Sequence, residues 1–190
     1  MIATLLSERY LKRMYRFYGA RHSILQLGYL IDYEDEESGG GFMPRLRRVS
    51  HIGFPWLYER DRLMQWHRYI SIFEPHLRDT ETIEAFYFDT LLDAAKKWDR
   101  QNPKRIVCES YHSIQKFEGR LHPLDRCHIC EKKLGDDISL MTAMIPAHPE
   151  CIYSPSVKRK KLESFFETGS TISLEDRDVE YLYEVCIKGL

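Results

Sequence analysis

The feature that most constrains the fold of this 190-residue chain is a set of four metal-ligand residues between residues 127 and 151. They are spaced as Cys127-x2-Cys130-x17-His148-x2-Cys151. Each x2 spacing places two ligands on one tight turn, so both can reach the same ion at about 2.0–2.3 Å. Three thiolates and one imidazole fill a tetrahedral shell and leave no position for water. The spacing therefore predicts one structural Zn2+ in a treble-clef-like element.

Two alternatives to zinc stay open at this point: a coincidence of buried cysteines, and a redox-active Cys-x2-Cys pair. A redox pair does not require the half formed by His148 and Cys151, so the complete spacing favours zinc. Five cysteines in a chain of this size, which we expect to be cytosolic, indicate metal binding or buried thiols and not a disulfide framework. Cys108 and Cys186 lie on the apolar faces of predicted helices, where we expect ordinary core residues.

The chain changes character near residue 55, and short strand-like segments dominate before that point. Apolar residues alternate with polar ones over residues 10–18 and 25–33, and residues 2–6 and 42–49 are weaker strand candidates. Helical spacing competes with the strand pattern over residues 10–18. The acidic, glycine-rich run 34–41 predicts a solvated turn or flexible loop. Short strands with such punctuation predict a small β-barrel domain over residues 1–55.

After residue 55 the apolar period becomes helical, which predicts a mainly helical domain over residues 56–190 with the zinc segment 127–151 inserted in it. Three apolar stripes indicate helices: Leu63, Trp66, Ile70, Phe73 and Leu77; Ile83, Tyr87, Leu91, Ala94 and Trp98; and Val107, Tyr111, Ile114 and Leu121. A further helix is predicted over 157–166, ending near Gly169. Ser173 is expected to cap a last helix. The predicted fold class is α+β.

Composition and missing motifs exclude several classes of function. Hydrophobic residues make up 43% and charged residues 30%, which is typical of a globular protein. No apolar stretch approaches the roughly 20 residues that span a bilayer, so we expect a cytoplasmic protein with no membrane partner. The sequence has no P-loop, which excludes ATP hydrolysis by such a loop, and it has no Gly-x-Ser-x-Gly elbow. A treble-clef nuclease is disfavoured because no His-Asn-His arrangement surrounds the cysteines.

Positive charge is clustered in three places, although the formal net charge is only −1. The clusters are Arg9, Lys12, Arg13, Arg16 and Arg21; Arg45, Arg47 and Arg48; and residues 158–161. Such side chains neutralise phosphates, and exposed aromatic rings among them can stack on bases. The alternative is a solvated, salt-bridged face with the acidic run 34–37 as internal partner. Three clusters together with a small barrel favour nucleic-acid binding.

Four sequence blocks resemble the RecO family of bacterial recombination mediators, in the forms found in the Helicobacter and Campylobacter group. Residues 121–130 (LHPLDRCHIC) and 145–152 (IPAHPECI) resemble the family's zinc segment. Residues 15–23 (YRFYGARHS) and 166–176 (FETGSTISLED) are similar to the same group. A LIM module begins with the same ligand pattern, but it needs a second set of four ligands, which the sequence lacks after Cys151.

The resemblance implies an N-terminal OB-fold, a helical domain that carries the zinc element, and a protein without enzyme activity. It implies binding of single- and double-stranded DNA, strand annealing, and loading of RecA together with RecR on DNA coated by single-stranded DNA-binding protein (SSB). The acidic C-terminal tail of SSB would dock on the helical domain, in the cytoplasm at the nucleoid. An OB-fold has five strands, and only four fit before residue 55, so either the chain begins inside the barrel or the barrel is open at one edge.

The resemblance also assigns DNA contacts. The family's basic strand-to-turn segment has a Gly-Ala-Arg step that matches residues 19–21, so a DNA contact is expected at Arg21. Arg13 and Arg16 are expected to contribute because they belong to the same element. Arg45, Arg47 and Arg48 are expected from charge alone. The alternative function is a zinc-stabilised adaptor that binds an acidic peptide through the helical half and makes no direct contact with DNA.

Overall fold

The computed structural model describes residues 1–17, 24–36, 42–80 and 83–190. The chain forms two compact units, Met1–Asp99 (unit 1) and Arg100–Leu190 (unit 2). A sheet of strands comes first and helices follow, which confirms the α+β class. The change from strands to helices near residue 55 lies inside unit 1 and is not the boundary between the units. That residues 1–55 act as a separate DNA-binding domain stays a prediction.

Unit 1 begins with a sheet of four described strands. They are β1 (Ile2–Leu6), β2 (Leu11–Tyr15), β3 (Leu30–Glu36) and β4 (Arg45–Ile52). Their order in the sheet is β1-β2-β4-β3. The β1–β2 and β3–β4 pairs are antiparallel, and β2 meets β4 in parallel at a single register position. Among the described residues, β1 and β3 are the outer strands of this sheet.

The position of β3 corrects the sequence prediction. The strand predicted over residues 25–33 begins only at Leu30, and it continues through Glu34, Asp35 and Glu36, which were predicted to form a loop. The acidic residues join the strand because the register with β4 places Glu34 opposite Arg47 and Glu36 opposite Arg45. Opposite charges on directly facing positions stabilise a strand pair that the acidic sequence alone would disfavour. Residues 37–41 of the predicted loop lie outside the described residues.

In the described part of unit 1 three α-helices follow the sheet: α1 (Arg60–Ser71), α2 (Phe73–Leu77) and α3 (Ala85–Lys97). The first two apolar stripes therefore predicted helices correctly. Their inner faces bury an aromatic cluster in which Trp56, Trp66 and Trp98 are at most 3% exposed. The Trp56 indole Nε1 donates to the carbonyl of Ala95 at 2.8 Å, so the buried ring has its polar atom satisfied. The aromatic stripes are core, as predicted.

Unit 2 packs helices around a small three-stranded sheet. Its elements are α4 (Pro103–Phe117), β5 (Asp137–Met141), β6 (Ile145–Ala147), α5 (Pro149–Ile152), β7 (Val157–Lys158), α6 (Arg159–Thr168) and α7 (Asp176–Cys186). The sheet order is β6-β5-β7. Helices α4 and α7 pack together, and Cys108 and Cys186 are both fully buried, as predicted. No helix in the described part of the chain is long and apolar enough to cross a membrane.

The start of the last helix differs from the prediction. Glu175, and not Ser173, is the N-cap of α7, and it forms a capping box with Asp178. Lys161 lies 2.7 Å from both carboxylates and neutralises them. Two carboxylates near the first turn also suit the positive end of the helix dipole, which explains why this pair is used and the serine is not. Helix α6 ends at Gly169, where φ is 72°, as predicted.

Candidate metal centre and nucleic-acid interface

The four predicted metal ligands come together in unit 2. Cys127 and Cys130 lie on a turn before β5, His148 is the N-cap of the short helix α5, and Cys151 lies within that helix. One ligand atom from each residue lies within 4.8 Å of all the others. As predicted, each x2 spacing brings its two ligand residues to the same point.

The distances between the ligand atoms fit a zinc ion. His148 Nδ1 lies 3.3 Å from Cys130 Sγ and 3.8 Å from Cys151 Sγ. A tetrahedral ion with usual Zn–S and Zn–N bonds separates a sulfur from a nitrogen by about 3.5 Å. Three sulfurs and one imidazole nitrogen are also the donor set that zinc prefers. The cluster can therefore hold one zinc ion with all four positions supplied by the protein.

A hydrogen bond outside the ligand shell orients His148. Its Nε2 lies 3.1 Å from the carbonyl oxygen of Lys133, to which it donates, and this leaves the lone pair of Nδ1 facing the thiols. The same contact is the main reason that the pKa of His148 is raised, with a smaller contribution from the Cys130 thiol. Metal-ligating histidines usually have such a carbonyl or carboxylate partner.

Two of the thiols differ in how readily they lose a proton. Cys127 is 1% exposed, and burial raises its pKa, but N–H groups of Cys130, His148 and Ile129 outweigh burial and lower the pKa to about 6. For Cys151, burial and then hydrogen bonds with the other thiols raise the pKa to about 11. Cys127 is thus held by the backbone in a form that favours the thiolate, which is the form that binds metal.

The turn that carries Cys127 and Cys130 belongs to a hairpin over residues 125–134, which we call the zinc hairpin. The Cys127 N–H donates to the Lys132 carbonyl, and the Leu134 N–H donates to the Asp125 carbonyl, each at 2.9 Å. Arg126 and Lys133 form an isolated antiparallel bridge between the two arms. The hairpin is therefore closed by backbone hydrogen bonds as well as by the ligand cluster.

Arg159 fastens the base of the zinc hairpin and was missed as a structural residue by the sequence analysis. Its guanidinium donates to the carbonyls of Leu124, Leu134 and Gly135. It had been counted as part of the basic cluster 158–161. In that cluster Lys158 also pairs with Asp136 and Asp137, and Lys161 pairs with Glu175 and Asp178. No local pattern distinguishes an arginine that binds backbone carbonyls from one that faces solvent.

The three arginines of β4 that were predicted to contact DNA lie on the sheet, and each is paired with a carboxylate of the acidic strand β3. Arg45 and Arg47 lie 3.5 Å and 2.8 Å from Glu36, and Arg48 lies 2.9 Å from Glu34. On β2, Lys12 lies 3.2 Å from Asp35. All these side chains are at least one-third exposed, so each pair stabilises the fold by only about 0–1 kcal/mol. The salt-bridged alternative is what the free sheet adopts.

The three predicted DNA contacts of the first basic segment have different placements. Arg13 is exposed on β2. Arg16 is only 8% exposed, and its Nε and Nη1 have no hydrogen-bond partner among the described residues. Arg21 lies outside the described residues. For Arg16, contact with a phosphate requires the side chain to move to the surface, which the sequence pattern could not reveal.

Aromatic rings stand beside the sheet cations, as the interleaved sequence predicted. Phe17 is 61% exposed, and the Arg45 guanidinium lies 5.8 Å from its ring centroid. Tyr10 is 37% exposed, with the Lys12 ammonium 5.6 Å from its ring. Such rings are available to stack on unpaired bases, while the neighbouring cations face phosphates.

Two structural features bear on the kind of protein this is. One is an N-terminal sheet with cations and aromatic rings on its surface, and the other is a Cys3His cluster that can hold zinc. Residues 1–57, which contain the whole sheet, match the family described as RecO N terminal, an OB-like domain. The match supports a relationship of this chain to the RecO family. No curated protein matches the sequence. The closer similarity to the Helicobacter and Campylobacter forms stays a prediction.

Proposed function

We propose that this protein acts without enzyme activity in DNA repair and homologous recombination. In this proposal it binds single- and double-stranded DNA and promotes annealing of complementary strands. The observation that carries the proposal is that the segment matching the RecO N-terminal family is the same segment that bears the exposed sheet cations. Both the family match and the charged surface favour nucleic acid.

The mechanism is electrostatic. Arg13, Arg47 and Arg48 are exposed, and the β3 carboxylates that pair with the last two are exposed as well. A phosphate can replace these carboxylates because an exposed ion pair is weak and a guanidinium binds phosphate oxygens through two hydrogen bonds. Neutralised phosphates release counterions, so two strands can approach, and base pairing then supplies the sequence specificity. No nucleotide hydrolysis enters this scheme.

The zinc site has a structural role in the proposal. Cys127, Cys130, His148 and Cys151 would hold the ion, which supplies folding energy to the hairpin and the segments it joins. Because the protein provides all four ligands, no position remains for a substrate. The chain itself keeps His148 oriented through the Lys133 carbonyl and keeps Cys127 close to its thiolate form.

The partners proposed for this protein are DNA and other recombination proteins. More specifically, we propose that it acts with RecR to load RecA on DNA coated by SSB. We propose that the acidic SSB tail docks on its helical part. The proposed location is the cytoplasm, at the nucleoid. The second candidate is a zinc-stabilised adaptor that binds protein and makes no direct contact with DNA. The pairing of Arg45, Arg47 and Arg48 with β3 favours this candidate, since it leaves less free charge on the sheet.

An annealing assay with complementary oligonucleotides, with and without SSB, tests the proposal. The dependence of single-strand affinity on salt should be measured beside it. The sheet variant is Arg13→Glu, Arg47→Glu and Arg48→Glu. The matched control reverses three exposed lysines outside the basic clusters: Lys97→Glu, Lys116→Glu and Lys188→Glu.

Loss of three phosphate contacts should reduce the slope of log K against log salt by about 2 for the sheet variant and much less for the control. A flat salt response of the unmodified protein would contradict DNA binding and favour the adaptor. Strand cleavage stimulated by added Mg2+ would instead indicate a nuclease.

A further inference from the structure

The zinc hairpin carries exposed positive charge that the proposed function does not use. Arg126, Lys132 and Lys133 are all exposed, and within the described ranges none of them forms an ion pair or a side-chain hydrogen bond. The β4 arginines and the lysines at 158 and 161 are each bound to a carboxylate. The hairpin therefore keeps three cations available to a ligand.

The arrangement of these cations is unfavourable without an anion. Arg126 and Lys133 are directly opposite each other in the bridge between the two arms of the hairpin. Directly opposed side chains lie on the same face, with their Cβ atoms about 4.5–5.5 Å apart, and like charges at such positions are destabilising. A phosphate bound between the two cations removes this repulsion.

The metal ligands fix the backbone of all three cations. Arg126 directly precedes Cys127, the Lys132 carbonyl accepts from the Cys127 N–H at 2.9 Å, and the Lys133 carbonyl accepts from His148 Nε2 at 3.1 Å. A surface whose backbone is fixed before binding loses less conformational entropy when a ligand binds. The cations are thus presented by a rigid element.

Large apolar side chains that are close in sequence to the metal ligands project into solvent. Ile129, between the first two ligands, is 54% exposed. Tyr153, two residues after Cys151, is 95% exposed and has a φ of 50° at the end of α5, a left-handed position that glycine usually occupies. An exposed ring and exposed cations on segments joined by the same four ligands can bind single-stranded nucleic acid, the ring by stacking and the cations through phosphates.

We propose that the zinc hairpin is a second nucleic-acid contact, in which Arg126, Lys132 and Lys133 bind the phosphate backbone and Tyr153 stacks on a base. The inference rests on the proposed function only in taking nucleic acid as the ligand, since the residues involved are different. An acidic peptide fits less well because its apolar side chains need a recess. Ile129 and Tyr153 instead project outward.

The test uses the full zinc-loaded chain and a fluorescent single-stranded oligonucleotide titrated at several salt concentrations. The hairpin variant is Arg126→Gln, Lys132→Gln and Lys133→Gln. The matched control, with the same loss of charge, is Lys97→Gln, Lys116→Gln and Lys188→Gln. In this experiment the sheet variant carries glutamine in place of glutamate at the same positions, Arg13→Gln, Arg47→Gln and Arg48→Gln, so that its loss of charge equals that of the hairpin variant. Tyr153→Ala tests stacking separately.

The hairpin variant should reduce the slope of log K against log salt by about 2, while the control should leave it nearly unchanged. Tyr153→Ala should weaken binding about tenfold with the slope unchanged, because stacking contributes without releasing counterions. Zinc content should match that of the unmodified protein, since no ligand is altered, and the melting temperature should be equal or slightly higher, since the repulsion between Arg126 and Lys133 is removed. If the hairpin variant loses zinc, Tyr153→Ala decides the question by itself.

The outcomes separate this inference from the proposed function. If the sheet variant loses binding while the hairpin variant and Tyr153→Ala bind like the control, the hairpin contact is wrong and the sheet contact stands. If the hairpin variant loses binding and the sheet variant does not, the hairpin contact stands and the sheet contact fails. No binding by the unmodified protein overturns both. An Asp-rich peptide that loses affinity only for the hairpin variant, with oligonucleotide binding unchanged, overturns the inference in favour of a protein partner.

Discussion

The sheet of unit 1 and the zinc hairpin of unit 2 both present exposed cations on paired backbone, and they differ in what those cations face. On the sheet, Arg47 and Arg48 meet carboxylates of β3. On the hairpin, Arg126 and Lys133 face each other, without an ion pair in the part of the chain that the structure describes. Cross-strand register decides which charge is available, and clustering in the sequence does not reveal it.

The two regions also differ in what holds them in shape. The sheet depends on ladder hydrogen bonds, and the segment before β3 is held to α1 by the Trp66 Nε1 hydrogen bond to the Gly28 carbonyl. The zinc hairpin depends on four ligands, a few backbone hydrogen bonds and the guanidinium of Arg159. Removing the ion should therefore affect one region and spare the other.

Replacement of Cys127 by alanine should have the largest effect. A zinc ion in a closed site contributes on the order of 10 kcal/mol, more than any single side-chain contact. We expect loss of zinc, a lower melting temperature and faster amide hydrogen exchange over residues 124–158. All three tryptophans, Trp56, Trp66 and Trp98, lie in unit 1, so tryptophan fluorescence should stay unchanged.

Cys108→Ala is the matched control for this experiment, since it removes a buried thiol that is not a ligand and should keep the full zinc content. A Cys127→Ala protein that lost zinc but melted like the unmodified chain would contradict a structural role for the metal.

The ligand set could be predicted from the sequence because its geometry is local. Each pair of ligands is separated by two residues, and one ion joins the two pairs without any knowledge of the rest of the fold. Helices were predictable for a similar reason, since an apolar stripe such as that of α3 reflects the helix's own period. The positions of the ligands and of these helices could therefore be predicted without tertiary information.

The parts that could not be predicted depend on distant partners. Glu34 and Glu36 form a strand because β4 places arginines opposite them, and that register is not written in the acidic run itself. Glu175 caps α7 in place of Ser173 with the help of Lys161, which belongs to another helix. Arg159 binds three carbonyls that lie 24 to 35 residues away. In each case a contact distant in sequence overrides the local preference.

Replacement of Arg159 by lysine should have the second-largest effect. Lysine keeps the charge but cannot donate to the Leu124, Leu134 and Gly135 carbonyls at once, so partly buried acceptors lose their partners. We expect unit 2 to lose about 1–3 kcal/mol of unfolding free energy, measured by denaturant titration of the zinc-loaded protein. Lys160→Ala, at the neighbouring exposed position, should change it by less than about 0.5 kcal/mol. Equal stability of the two variants would mean that Arg159 does not fasten the hairpin.

A fall in pH should destabilise unit 2 by a smaller amount, through the buried side chain of His112. This side chain is 2% exposed, and burial lowers its pKa below the ordinary value, although its contact with the Phe166 carbonyl acts in the other direction. A histidine whose pKa is lowered by folding stabilises the fold fully above its unfolded pKa of about 6.5. That contribution is lost as the pH falls from there through the folded pKa.

Denaturant titration at pH 7.5 and 5.5 should show a smaller loss for His112→Gln than for the unmodified protein. His122→Gln, at a more exposed histidine, should retain the larger loss. An NMR titration in which His112 became protonated above pH 6.5 would have the wrong sign for this account.

The smallest expected effect tests the comparison between the two charged surfaces most directly. Neutralising the strand that pairs with the sheet arginines, with Glu34→Gln and Glu36→Gln, should raise single-strand affinity, because phosphate no longer competes with these carboxylates. Exposed pairs contribute about 0–1 kcal/mol each, so the gain should be a few-fold, with most of it lost at high salt. The matched control is Glu167→Gln and Glu184→Gln, exposed carboxylates of unit 2 that remove the same charge. If both double variants bind alike, the gain is one of net charge and β3 does not shield the sheet. If only the β3 variant gains affinity, and the gain disappears when Arg47 and Arg48 are also replaced by glutamine, the acidic strand occupies the place of the phosphates in the free protein.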